Sequence, residues 1–310
     1  MARRHYGGTD WIDLSTGINR VPYSLPSLPA DVWTALPTQE AMAGLLATAR
    51  DAYHTRAPIL AVSGAQAAIQ TIPRLTAPAN ARILAPTYNE HAAALRAAGW
   101  HVTEVTTLSG LAGADLAVVV NPNNPDGQCH PPDALLQLTK QVGTLVVDES
   151  FVDARPELSL APAAGQHGLL VLRSFGKFYG LAGVRLGFVI GSDEAIKTLG
   201  EMAGPWPISG TAIAVGQAAL SDHAWAEATV KRLRSETVRL DDLAQSAGWK
   251  PLGGTELFRL YDTPGAIAAQ DRLALKRIWT RVFPYSDRWL RLGLPGKPVE
   301  WDRLAHAVQD

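Results

Sequence analysis

The sequence predicts an α/β fold: a large domain on a mostly parallel sheet sandwiched by helices, followed by a smaller α+β domain. Three observations carry this expectation. Short, nearly continuous apolar runs alternate with helix-patterned segments between residues 59 and 190; such runs suit strands buried on both faces, the habit of parallel sheets. After about residue 209 the rhythm changes to a long helical stretch and then to mixed short elements. The length of 310 residues, 47% of them hydrophobic, suits two domains.

In chain order, Pro22, Pro26, Pro29 and Pro37, together with Gly7, Gly8 and Gly17, predict an extended arm over residues 1–40. Residues 40–53 set Met42, Leu45, Leu46 and Ala49 at helical spacing. Strands are expected at 59–62, 82–85, 101–105, 116–120, 144–147, 169–172 and 185–190, with helices at 65–75 and 89–98 and around 135–140. These form the large domain, 41–210. The small domain, 211–310, opens with a helical stretch to about 247. Its charged face, with Lys231, Arg232, Arg234, Glu236 and Arg239, is expected to be solvated. A strand at 257–261, a helix near 266–275, a strand near 289–293 and a closing helix complete it, and the arm is expected to join it.

Composition narrows the function. The 28 basic and 29 acidic residues leave a net charge of −1, with no whole-chain footprint for nucleic acid or an anionic membrane. No apolar run reaches the roughly 18–20 residues of a membrane span, and no hydrophobic signal core follows Arg3 and Arg4. Cys129 is the sole cysteine, so no intrachain disulfide forms, which fits a reducing cytoplasm. Neither a Gly-x-Gly-x-x-Gly nor a Walker A pattern occurs, and no metal site is expected.

Four segments stand where strands are expected to end, the place ligands collect in open α/β sheets. The first is Ser-Phe-Gly-Lys-Phe-Tyr-Gly-Leu-Ala-Gly-Val-Arg-Leu-Gly at 174–187. A lone loop lysine is ordinarily solvated. Here, however, Lys177 lies between Ser174 and Arg185, a hydroxyl and a guanidinium suited to a phosphate. A lysine beside a phosphate site is the arrangement for a phosphorylated aldehyde cofactor. The second is Asp148, a carboxylate for a pyridine nitrogen or, equally, a turn residue. The third is the Asn-Pro-Asn-Asn-Pro-Asp-Gly turn at 121–127, with Asn124 as a ligand for a phenolic oxygen; turn chemistry alone also accounts for its composition. The fourth is Ser-Gly-Ala-Gln at 63–66, a strand-to-helix turn whose free N–H groups favour a phosphate.

These segments, in this order, resemble the fold-type I pyridoxal-5′-phosphate (PLP) enzymes of the class I/II aminotransferase superfamily over nearly the whole chain. The resemblance implies a PLP-dependent transferase-like fold. It implies Lys177 as the Schiff-base lysine, Asp148 as the pyridinium partner and Asn124 on the ring oxygen. Ser174, Arg185 and the backbone of Ala65 and Gln66 would hold the phosphate. Tyr88, in Pro-Thr-Tyr-Asn-Glu, falls where the family stacks an aromatic ring on the cofactor, and Arg291 where it binds the substrate α-carboxylate. Asn19, in the arm, would help place that carboxylate. Within the superfamily, Leu-Ser-Thr-Gly-Ile-Asn (14–19), Ser-Gly-Ala-Gln-Ala-Ala-Ile (63–69), Gly-Pro-Trp-Pro-Ile-Ser-Gly (204–210), Ile-Trp-Thr-Arg-Val-Phe (278–283) and Arg-Leu-Gly-Leu-Pro (291–295) resemble the threonine-phosphate decarboxylases of cobalamin biosynthesis. Histidinol-phosphate aminotransferases, the alternative, usually carry a tyrosine three residues after the sheet aspartate; this chain has Phe151. The decarboxylases often have proline where this chain has Arg20. The resemblance further implies a homodimer acting on a phosphorylated amino acid.

Overall fold

A computed structural model describes residues 2–309. Its main sheet has seven strands in the order Ile59–Val62, Gly187–Ile190, Leu169–Ser174, Thr144–Asp148, Leu116–Val120, Asn80–Leu84, His101–Val105. Gly187–Ile190 runs antiparallel to both of its neighbours, and the strands from Leu169–Ser174 to His101–Val105 are mutually parallel. Every residue of Leu116–Val120 is buried. Its alternate side chains feed different cores: Ala117 and Val119 pack on one face of the sheet, Leu116 and Val118 on the other. That two-sided burial is why the strand reads as an unbroken apolar run. The outer strand His101–Val105 is half open and correspondingly polar.

A second, antiparallel sheet has the order Arg281–Phe283, Ser286–Gly293, Phe258–Asp262, Lys250–Thr255. A two-residue strand of the arm, Ile12–Asp13, pairs in parallel with Ile278–Trp279. Arg20 is fixed by an ion pair to Glu300 of the closing helix at 2.5 Å. Among the described residues no helix is long and apolar enough to cross a membrane.

The structure departs from the sequence reading in places with clear causes. The stretch expected from 211 to 247 is two helices, Gly210–Ser221 and His223–Ser246. Asp222 breaks it, its carboxylate accepting from Trp225 N at 2.9 Å as an N-cap. A helix over Asp193–Ala203, capped by Ser192, was not anticipated. Nor was the strand Lys250–Thr255, whose Pro251, Gly253 and Gly254 argue against a strand from composition alone. The arm is not wholly extended, since Ala2–Tyr6 and Asp31–Thr34 are helical.

One contact between the sheets bears on the site. The turn at 123–127 meets Lys250–Thr255 backbone to backbone. A Cβ on Gly127 would overlap the Gly254 carbonyl, and one on Gly253 would overlap the Asp126 carbonyl. Only glycine permits so close an approach.

Candidate active site

The parallel strands deliver their carboxyl ends to one edge, and their register sets the site. Asp148 pairs with Val120 on one side and Leu172 on the other, so it lies between the starts of the 121–127 turn and the Lys177 segment. A cavity of about 150 Å³ forms there, lined among others by Ala65, Gln66, Tyr88, Asn124, Asp148, Ser174, Lys177 and Arg185. It adjoins a larger cavity of about 920 Å³, whose wall includes Tyr88, Asn124, Lys177, Arg281, Tyr285 and Arg291.

Asp148 is buried. One oxygen accepts from Ser150 N at 3.0 Å and Ser150 Oγ at 2.5 Å, and the other faces His91 Nε2 at 2.8 Å. Burial raises the carboxyl's pKa, but the bonds from His91 and Ser150 outweigh it and hold the group below its ordinary value. The carboxylate is therefore anionic near neutral pH. Lys177, on the short helix Phe175–Phe178, is pushed down from its ordinary pKa by burial and by Arg291 and Arg185, with Asp148 opposing. Its Nζ stands 5.5 Å from the centre of the Phe151 ring.

The phosphate end is built from backbone and two side chains. Gly64 has φ of 77°, and a Cβ there would lie 2.6 Å from Arg185 Nη2, so any larger residue would crowd the guanidinium. The helix Ala65–Thr71 begins at this point, and its first N–H groups have no intrahelical acceptor. Arg185 sits at φ 55°, and among the described residues its guanidinium makes one bond, to the Ala182 carbonyl at 3.3 Å. Ser174 is the N-cap of Phe175–Phe178 yet makes no side-chain cap bond. Donors of this kind suit a phosphate monoester; together with a buried anionic carboxylate and a lysine of lowered pKa, they fit PLP. Tyr88 completes the wall, its hydroxyl donating to Gln66 Oε1 at 3.2 Å.

Arg291 lies on Ser286–Gly293 and is buried. It donates through Nη2 to the Ser15 carbonyl at 2.5 Å and through Nη1 to Asn124 Oδ1. Its Nε is buried without a partner among the described residues. Burial and nearby Arg281 push its pKa down to about 10. Because Asn124 Oδ1 accepts from Arg291, its amide N–H groups remain available for a ligand oxygen.

Asn19, expected to help place the carboxylate, is engaged within the protein. Its amide donates to the Phe178 carbonyl at 2.9 Å, and its oxygen accepts from Val21 N at 3.0 Å and Arg232 at 2.8 Å. The side chain is occupied within the protein and lines neither cavity. Asn19 instead holds the arm against the lysine segment, its N–H bonding the Lys177 carbonyl at 3.0 Å. The arm reaches the larger cavity through Ser15, Thr16 and Gly17.

Sequence reasoning passed over His91, and it gave Arg281 no role beyond its place in the 278–283 segment. His91 follows Tyr88 by three residues in an alanine-rich helix, where a histidine reads as ordinary helix core. Arg281 stands directly across the ladder from Arg291. Its signal was the alternation Arg-Val-Phe in a run too short to read as a strand.

With this fold and site, the chain belongs to the aminotransferase class I and II family, whose family model matches residues 34–308. Among individual proteins it is 42% identical to the threonine-phosphate decarboxylase of Pseudomonas aeruginosa, over 96% of this chain and 91% of that protein. It is 41% identical to the threonine-phosphate decarboxylase of a Sinorhizobium species, over 99% of this chain and 95% of that one. The crystal structure of histidinol-phosphate aminotransferase from Sinorhizobium meliloti in complex with PLP shares the fold. Its TM-score is 0.87 at 22% identity, over 99% of this chain and 92% of that one.

Proposed function

We propose that the chain is a PLP-dependent decarboxylase of L-threonine O-3-phosphate, releasing CO2 and (R)-1-amino-2-propanol O-2-phosphate, the amine used in cobalamin biosynthesis. The observation that carries this reading is the 41–42% identity to threonine-phosphate decarboxylases across almost the full length of both chains. The cavity chemistry agrees with it. Arg281 and Arg291 are register partners on adjacent antiparallel strands. Like charges placed opposite each other destabilise a sheet. An anionic substrate between them relieves that repulsion, and a phosphorylated amino acid brings two anionic groups.

PLP, when bound, supplies a protonated pyridine ring that accepts the electron pair left at Cα. Lys177 is the amine that holds its aldehyde, Asp148 keeps its ring nitrogen protonated, and Asn124 donates to its ring oxygen. Ser174, Arg185 and the N–H groups of Ala65 and Gln66 bind its phosphate, and Tyr88 covers its face. His91 and Ser150 serve the reaction by keeping Asp148 anionic. Arg291 orients the substrate carboxylate, so that the Cα–carboxylate bond, rather than Cα–H, is the one aligned for cleavage. Burial and the neighbouring Arg291 lower the pKa of Lys177, which favours release of a proton from its Nζ, as returning a proton to Cα requires. Phe151 places an apolar ring where a tyrosine hydroxyl would add a further donor.

We also propose that the enzyme works in the cytoplasm as a homodimer. Leu25, Trp33, Leu36 and Trp206 are exposed apolar side chains of the kind a second subunit would cover. The decisive experiment incubates the PLP-loaded protein with L-threonine O-3-phosphate labelled in its carboxylate. Labelled CO2 equal to the amine formed is expected. Transfer of the amino group to a 2-oxo acid, without CO2, would replace this reading with a phosphate-specific aminotransferase.

A further inference from the structure

The larger cavity measures about 920 Å³. Cavities near the top of the usual range of about 300–1,000 Å³ hold drug-sized ligands, so a phosphorylated amino acid leaves much of this one open. Selection therefore rests on a few polar groups rather than on tight walls. Arg281 and Arg291 supply charge, but neither supplies a hydroxyl. The hairpin joining their strands does: at its tip, Phe283, Pro284 and Tyr285 all line the cavity.

Tyr285 is held by its ring and not by its hydroxyl. The ring packs against Phe283 at 5.4 Å and edge-on against Trp289 at 6.0 Å. The hydroxyl makes no hydrogen bond among the described residues, and the residue is 53% exposed. Burial raises the phenol's pKa while Arg291 and then Arg281 pull it down, so both guanidinium groups act on this oxygen. An anion beside the Tyr285 hydroxyl would feel the same two charges, with the weaker opposition of Asp126.

We propose that Tyr285 is a specificity-determining residue whose hydroxyl donates a hydrogen bond to the substrate's distal phosphate, beside Arg281. The inference rests on the reading of the substrate as a phosphorylated amino acid, and it adds the group that tells such a substrate from its unphosphorylated counterpart. A hydroxyl bonded to a dianion discriminates, because a substrate lacking the phosphate forgoes this charge-assisted bond and the attraction of the neighbouring cation.

The test uses the PLP-loaded full-length protein and Tyr285→Phe, which keeps the ring packing and removes the hydroxyl. Isopropyl phosphate, with neither amine nor carboxylate, reports on phosphate contact by calorimetry. Its Kd is expected to rise about ten- to a hundredfold in Tyr285→Phe, the range for a hydrogen bond to a charged group. The KM for L-threonine O-3-phosphate should rise by a similar factor with a smaller change in kcat, while cofactor affinity and the weak binding of L-threonine hold steady. Equal isopropyl phosphate binding by the two proteins would overturn the inference, as would an equal loss of L-threonine binding, which would mark a ring or fold effect. If the parent protein releases no CO2 from L-threonine O-3-phosphate, the functional reading fails, and the isopropyl phosphate comparison still decides the role of Tyr285.

Discussion

Replacing His91 with leucine tests how the site keeps Asp148 charged. The substitution fills much of the same space and removes the donor that faces Asp148 Oδ2 at 2.8 Å. Both side chains are nearly inaccessible, at 4% and 3% of full exposure, so solvent does not replace the lost bond. A hydrogen bond to a charged group contributes about 1.5–3 kcal/mol, and Ser150 retains the other carboxylate oxygen. Protein without added PLP should lose that amount, a fall in Tm of roughly 2–5 °C for a chain of 310 residues. The pH dependence follows from the sign of the shift. Asp148 is held below its ordinary value when folded, so its contribution is present above the unfolded pKa of about 3.9 and is lost as pH falls through the folded one. Removing His91 moves the folded pKa upward. The gap between parent and variant should therefore be widest above about pH 4 and close on acidification. Thermal unfolding from pH 3 to 8 measures this directly. A gap that persists unchanged at the acid end, or no gap at all, would show that His91 does not sustain the Asp148 charge.

Other substitutions separate the remaining roles. Borohydride reduction of the PLP-loaded protein should fix the cofactor on Lys177, as peptide mapping would show; a Lys177→Ala protein labelled elsewhere to the same extent would refute the assignment. Arg185→Ala should weaken PLP binding about ten- to a hundredfold through loss of charge-assisted bonds, and unchanged affinity in a fluorescence titration would count against the phosphate cup. Arg291→Lys keeps the charge but loses the planar fork that reaches Asn124 and Ser15. Turnover should fall by at least tenfold, about 1.4 kcal/mol, with cofactor affinity little changed and amino transfer increased relative to CO2 release. Parent-like turnover and product ratio would mean that Arg291 does not orient the carboxylate.

The elements easiest to read in the sequence were those shaped by local pattern. The strands at 59–62 and 116–120 coincide with the structure, because a run of side chains buried in a sheet leaves a direct trace in composition. The gathering of Asp148, Ser174, Lys177 and Arg185 around one cavity was legible because their spacings reflect strand ends and a tight turn. Non-local geometry was not legible. Asn19 looked free to meet a ligand, but one of its partners, Arg232, lies 213 residues away. His91 gained its meaning only when its helix was laid against the end of Thr144–Asp148. Arg281 and Tyr285 needed the hairpin register before they faced a cavity at all.

The glycine contact between the 121–127 turn and Lys250–Thr255 has a consequence for redesign. Asn124 stands on one side of it and the sheet carrying Arg291 on the other, with bare backbone between. The contact acts as a spacer of fixed thickness, and the bond from Arg291 to Asn124 is set by it. Substitutions in the walls of the larger cavity, at Ala92 or Phe283, leave that spacing untouched and are the positions at which a library can change substrate preference. A library that randomises 127 or 253 instead thickens the spacer, separates the two side chains, and should return folded but inactive proteins in preference to altered ones.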